Sequence, residues 1–282
     1  YRRCTGCNDG KNMKGIGYIR TKLDLAKLGI HQASKIYKRV SLGVNPIVIE
    51  VTNPRELSRI KAYQFKEPNT ISWLKNLQPG DVMYDIGSNT GLYSIFAAML
   101  LNGSGHVYSF EPESQNFASL NRNIKANELS ASITCLCIAL TDTTHLGNFY
   151  VRGNLRAGEA IHQFGNPTDD KGDLFKPVHQ QGIIGISLDD LCYKYKMDFP
   201  THIKLDVDGH EAKVISGASK VLRDERLKSI LLEITYVPSR PHEAAAIYES
   251  IENSGFVLKD KTPTGSLTSQ SDNAIFVRSE ST

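Results

Sequence analysis

The chain has 282 residues, 40% of them hydrophobic and 22% charged, an ordinary balance for a globular fold with a sizeable core. No apolar run approaches the roughly 18–20 residues that a membrane-spanning helix needs. The net charge of +3 hides an asymmetry: residues 1–66 hold 14 Lys and Arg against 4 Asp and Glu (+10), so the remainder holds 19 against 26 (−7), and an acidic body is a poor general binder of nucleic acid.

The charge shift divides the chain into a basic, partly helical extension at 1–66 and a main domain at 67–282. A chain that opens on Tyr1 rather than Met reads as a piece of a longer protein. Its first 17 residues are glycine-rich and poor in apolar side chains, the composition of a loose arm. Cys4 and Cys7 form a C-x-x-C with no second ligand pair at zinc spacing after it. Cys135, Cys137 and Cys192 are scattered, and unpaired thiols suit a reducing, cytoplasmic setting. From Ile19 to Val40, apolar residues recur every three or four positions (Ile19, Leu23, Ala26, Ile30, Ala33, Tyr37, Val40), which predicts an amphipathic helix. That helix suits docking on the main domain first, then a homodimer seam, then an anionic membrane surface.

After Gln78-Pro79-Gly80 the pattern alternates between strand and helix. Strands are expected at Val82–Ile86, Val107–Phe110, Ile133–Leu140, Ile203–Val207 and Ile230–Thr235, with an edge strand at Asn148–Arg152. Helices are expected at Leu92–Leu101, Gln115–Glu128, Leu188–Tyr195, Ala212–Leu222 and Glu243–Asn253. Gly153–Gly182 reads as a long lid or substrate loop. Phe256–Lys259 and Ala274–Arg278 are two strands with no helix between them, so the last should run antiparallel to its neighbour. The rhythm predicts an α/β, Rossmann-like three-layer fold, mostly parallel, with a C-terminal hairpin strand. Asn102-Gly103-Ser104 reads as a helix-ending turn rather than a glycan site, and Trp73 as a core anchor.

The turn Asp85-Ile86-Gly87-Ser88-Asn89-Thr90-Gly91 follows the first strand of this alternation, where such sheets bind ligands. Glu111 ends the next strand, 111 − 91 = 20 residues beyond Gly91, placed to accept both hydroxyls of a ribose. The turn lacks the middle glycine of a dinucleotide fingerprint and carries Asp85, which opposes a pyrophosphate. It suits a nucleoside with a cationic amino-acid end, S-adenosylmethionine. An NAD-dependent oxidoreductase is the first alternative, and a non-catalytic assembly module the second.

The blocks PGDVMYDIGSNTGLYS, YSFEPESQNFASLNRNI, IALTD, ISLDDL and IKLDVDGHEAKVISGA, in this order, closely resemble the FkbM-type S-adenosylmethionine-dependent methyltransferases from about Glu67 to Val277. The resemblance implies a seven-stranded class I methyltransferase sheet and O-methylation of a hydroxyl on a sugar or small metabolite. It also implies that Asp85, Gly87, Asn89 and Gly91 cradle the methionine end, Glu111 the ribose and Asp142 the adenine amino group, with Glu67 reaching the methionine end. Asp208 stands where the family more often has Glu.

Lys204-Leu205-Asp206-Val207-Asp208-Gly209-His210-Glu211 crowds charge at the carboxyl end of the fourth strand, and Glu233 ends the fifth. A hydroxyl acceptor loses its proton to a positioned base or to a metal-activated site. His210, Asp206 and Glu233 are the candidate catalytic residues. Asp206, Asp208 and Glu233 offer oxygen ligands of the kind Mg²⁺ takes. His162 and His179 lie in the long loop and can enter a substrate pocket. The partners implied are a small-molecule or carbohydrate hydroxyl acceptor, with no nucleic acid.

Overall fold

The computed structural model describes residues 36–279 apart from 44, 67, 161, 170–171, 237–238 and 265–270. The chain forms two compact units, Tyr1–Tyr37 and Lys38–Thr282, and the second holds nearly all the described residues. Most of the helix expected over Ile19–Val40 falls outside those described, as do Cys4, Cys7 and Glu67. Its last residues, Ile36–Val40, are a strand (β1) rather than helix, paired with β2 (Ile47–Val51). Both stretches are rich in β-branched residues, which favour extended backbone. Ile47 and Ile49 are buried, and Asn123 and Asn127 clamp the strand from a helix, Asn127 Oδ1 accepting from Val48 N–H at 2.8 Å. The compact unit therefore begins ahead of the boundary drawn from charge.

The remaining strands are β3 (Val82–Ile86), β4 (His106–Phe110), β5 (Ile133–Leu136), β6 (Ala139–Leu140), β7 (His145–Val151), β8 (Gln163–Phe164), β9 (His179–Ile186), β10 (His202–Leu205), β11 (Ser229–Thr235), β12 (Phe256–Pro263) and β13 (Ser271–Arg278). Seven of them form one sheet in the order β12-β13-β11-β10-β3-β4-β5. The five from β5 to β11 are parallel, and β13 runs antiparallel between β11 and β12. The antiparallel closing strand matches the sequence expectation. Alternation along β3 sends Tyr84 and Ile86 into one buried cluster and Met83 into another. Each cluster is covered by helices, which makes three layers. Trp73 is buried in the second cluster, and its indole N–H donates to Ser229 Oγ at 2.9 Å.

Three expectations are corrected. The strand predicted over Ile133–Leu140 breaks after Leu136, and Ala139–Leu140 joins a different sheet. The long loop expected at Gly153–Gly182 contributes β8 and the start of β9 to that sheet, four-stranded in the order β6-β9-β7-β8. The helix predicted over Ala212–Leu222 is two short ones, Glu211–Ser216 and Ser219–Arg223. Gly217 separates them where a Cβ would lie 2.2 Å from the Thr141 carbonyl oxygen. Asn102 caps the Leu92–Leu101 helix in the left-handed region, its N–H donating to the Ala98 carbonyl, as a turn reading requires.

Candidate functional site

The carboxyl ends of β3, β4 and β10 meet at the glycine turn. Gly87 has φ +83, and a Cβ there would sit 1.8 Å from the Asp206 carbonyl oxygen. Gly91, at φ +87, would bring a Cβ within 2.3 Å of Leu120 Cδ1. Both glycines are thus demanded by the chain's own close approaches as well as by left-handed backbone. The turn is pinned by Gly87 and Ser88 N–H donating to the Phe110 carbonyl. Asn89 also holds a positive φ, 51°, the residue type besides glycine that tolerates it.

Asp85 does not face the ligand side. Strand alternation turns it to the helix-covered face, where it is 1% exposed and opposite Lys204 in the β3–β10 register. Its Oδ2 accepts from Ser94 Oγ, and Lys204 Nζ lies 3.8 Å from its Oδ1. Lys204 also donates to Asp206 Oδ2 at 3.1 Å, and Ser109 Oγ donates to Ser94 at 2.8 Å. Burial pushes the Asp85 carboxyl up, and the Lys204 charge opposes that rise. Expected to cradle an ammonium, Asp85 lines neither cleft and anchors a buried polar chain beneath the turn.

Above the turn lies a cleft with a mixed apolar and polar lining, the usual character of a small-molecule site. Gly87, Asn89, Glu111, Asp206 and His210 are in its wall, with Phe110, Pro112, Ile138 and Leu140 as apolar lining. Glu111 directly follows β4, is 5% exposed, and accepts from the backbone N–H groups of Asn89 (2.7 Å) and Glu113 (2.9 Å). Burial lifts its carboxyl to about 7 against those hydrogen bonds. The adjacent helix is capped instead by Glu113, whose Oε2 accepts from Asn116 N–H at 2.7 Å. EPES holds both acids, and their spacing from the helix start distinguishes the cap from the site.

The second sheet closes the cleft. Asn89 Nδ2 donates to the Glu159 carbonyl at 2.8 Å, and Phe149, His162 and Phe164 complete the wall. A second cleft shares Phe164 and His210 with the first. Its other lining includes Gln163, Asn166, Thr168, Lys213, Ser239 and Arg240. His210 stands between the two, and burial pulls its imidazole down to about 4, so the ring is neutral near pH 7.

Asp208 has φ 54 and its carbonyl accepts from Gln163 Nε2 at 2.8 Å. Glu211 turns back to accept from the N–H groups of Val207 and Gly209, both at 3.1 Å. Glu233 lines neither cleft; its Oε1 accepts from Ser271 Oγ on β13 at 3.1 Å. Asp142 is exposed and lines neither cleft, its Oδ1 accepting from the Thr141 and Thr143 hydroxyls. Among the described residues no three His, Cys, Asp or Glu converge as metal ligands, so Asp206, Asp208 and Glu233 do not form the Mg²⁺ set expected of them. No helix among the described residues is long and apolar enough to cross a membrane. His179, at the start of β9, lines neither cleft.

The cleft fits a nucleoside with an amino-acid end. Glu111 offers a carboxylate to the cleft, apolar walls suit a base, and Asn89 Oδ1 is a buried acceptor with no hydrogen-bond donor. Residues 85–258 match the family model of the methyltransferase FkbM domain. The chain is 23% identical over 184 residues to the hexuronic acid methyltransferase AglP of Haloferax volcanii, covering 65% of this chain and 68% of that protein. It is 29% identical over 82 residues to the 31-O-demethyl-FK506 methyltransferase FkbM of Streptomyces tacrolimicus, covering 29% of this chain and 31% of that one. Among solved structures, magnesium protoporphyrin IX methyltransferase from Synechocystis PCC 6803 aligns with TM-score 0.45 and 18% identity, over 81% of this chain and 86% of the other.

Proposed function

The chain belongs to the FkbM methyltransferase family and is an S-adenosylmethionine-dependent methyltransferase, and on that premise we propose that it methylates a hydroxyl of a carbohydrate or a similarly polar small metabolite. When bound, S-adenosylmethionine supplies an electrophilic methyl group. The observation that carries the acceptor class is the second cleft, which joins the first at Phe164 and His210. Gln163, Asn166, Thr168 and Ser239 give it a row of hydrogen-bonding side chains, Phe164 an apolar ring, and Lys213 and Arg240 positive charge. Such a lining suits a polyhydroxylated acceptor and is poorly matched to an apolar one. The relative named for hexuronic acid methylation supports the same class.

In this reading Glu111 and Asn89 hold the cofactor, and His210 takes the acceptor's proton. Thr141 Oγ1 donates to Asp142 Oδ1 at 3.1 Å and lies 3.5 Å from His210 Nε2. With the hydroxyl proton committed to Asp142, Nε2–H is the donor to Thr141 and Nδ1 keeps the lone pair. Nδ1 is therefore the atom that receives the proton. Asp142 acts here as a positioning residue behind Thr141, not as an adenine ligand. Asp206 stands in the same wall with its charge tied to Lys204. The carboxylate that favours the positive charge the imidazole gains is Asp142, opposed by Lys213 and Arg240.

The test is transfer of isotope-labelled methyl to a panel of free and acidic sugars, with product mapping. An O-methyl sugar is expected; label only on nitrogen or carbon acceptors would overturn the acceptor class. His210→Gln is expected to lower kcat about 100-fold or more while the Kd for S-adenosylhomocysteine stays within about twofold. Full turnover in that variant would remove His210 as base.

A further inference from the structure

His162 lies between β7 and β8, on the stretch that covers the cleft, and is 8% exposed. Its Nδ1 accepts the Arg152 backbone N–H at 3.1 Å. That bond fixes the tautomer of a neutral ring: Nδ1 is the bare nitrogen and Nε2 carries the hydrogen. Burial pulls this imidazole down to about 4, so the neutral form holds across the physiological range. Nε2 is buried without a hydrogen-bond partner, in a residue that lines the cleft. A buried unpaired donor is costly, and a site that keeps one is built for an acceptor.

The second unpaired group has the opposite character. Asn89 Nδ2 is committed to the Glu159 carbonyl, which orients Oδ1 as an acceptor, and Oδ1 is buried without a donor. Glu159 and His162 are three residues apart, a span of at most about 10 Å. Of the charges facing His162, Glu159 is engaged by Arg55 (3.7 Å) and Arg156 (2.7 Å), and Arg59 donates to the Gly158 carbonyl. The nearby ions are therefore occupied, and the two neutral groups remain.

A ligand that satisfies both must offer a donor and an acceptor at one end, and an amino-acid zwitterion does so. We propose that Asn89 Oδ1 and His162 Nε2–H together hold the amino-acid end of the cofactor, Asn89 taking the ammonium and His162 the carboxylate. The proposal rests on the S-adenosylmethionine reading and deepens it. Recognition by two neutral groups replaces the carboxylate that the glycine turn was expected to supply, since Asp85 lies beneath the turn.

The experiment is calorimetric binding of S-adenosylhomocysteine and of 5′-methylthioadenosine, which keeps the nucleoside and lacks the amino-acid end. The proteins are the wild type, His162→Phe, His162→Gln and Asn89→Gly, each checked for an unchanged melting profile. Glycine accepts the positive φ at position 89, so the second site is tested without backbone strain. His162→Phe is expected to weaken S-adenosylhomocysteine about tenfold and 5′-methylthioadenosine by less than about twofold. His162→Gln, which keeps a donor, should recover most of the loss, and Asn89→Gly should show the same ligand-dependent pattern. Equal losses for both ligands, or none, would overturn the proposal. A wild-type protein that binds neither ligand would overturn the cofactor reading itself, and the proposal with it.

Discussion

Glu111 shows how a single carboxyl couples cofactor binding to pH. Burial holds it at about 7, so near neutrality it is about half ionised before any ligand arrives. Only the ionised form accepts from two ribose hydroxyls. Affinity scales with the fraction in the competent form, so binding of S-adenosylhomocysteine should tighten about tenfold between about pH 6 and pH 8. Titration calorimetry across that range checks it, and Glu111→Gln should bind weakly with no such slope. A flat wild-type profile would mean that Glu111 does not reach the ribose. Residue by residue, the site was legible where the backbone alone decides placement. Gly87 and Asn89 follow the end of β3 and Glu111 the end of β4, both marked by the apolar pattern, while Gly91 caps the next helix. Side-chain direction was harder: Asp85 is one residue from the strand end, and the strand's two-residue period sends it inward.

The second sheet is the element that sequence reading missed. β8 has two residues, and β9 reads HQQGIIGI, with polar residues on both faces of its first half, so neither shows a clean period-two signal. Their pairing is set by tertiary contacts. Gly147 on β7 and Gly185 on β9 leave room for the Phe164 ring, where a Cβ would lie 2.6 Å and 2.5 Å from ring atoms. That ring forms part of the wall of both clefts. Gly185→Ala should cost about 1–3 kcal/mol by overpacking, read by chemical denaturation. It should also raise the KM for the methyl acceptor more than it weakens S-adenosylhomocysteine. An unchanged KM would separate Phe164 from the acceptor path. Glu233 and Asp142 line neither cleft for a related reason. Glu233 lies within β11 and Asp142 in the turn after β6, and each carboxylate accepts from a nearby hydroxyl, Ser271 on β13 for Glu233 and Thr141 and Thr143 for Asp142.

Across the whole molecule, buried titratable groups oppose one another. Burial lowers His162 and His210 to about 4, and it lowers His202 despite Asp81 beside it. For these groups the unfolded chain binds more protons between their folded values and about 6.5, so their contribution to stability grows as pH rises. Glu111 and Glu211 are raised to about 7, so the folded chain binds more protons between about 4.5 and 7, and their contribution falls as pH rises. Asp85, raised by burial, sides with the two glutamates, so the two trends oppose each other between about pH 5 and pH 6.5. Glu211→Gln removes one of the groups that favour low pH and should make the melting temperature rise more, or fall less, with pH over that window than in the wild type; a slope identical to the wild type would refute the account. The position of β13, antiparallel between β11 and β12, carries a consequence for biosynthesis. A nascent chain exposes the rim of β11 from the moment Thr235 leaves the ribosome, and that rim cannot be sealed until Ser271–Arg278 has been translated. Over that interval β11 is a bare sheet edge open to mispairing with other chains, and a ribosome that stalls before Ser271 releases a polypeptide whose β12 lacks the strand it pairs with.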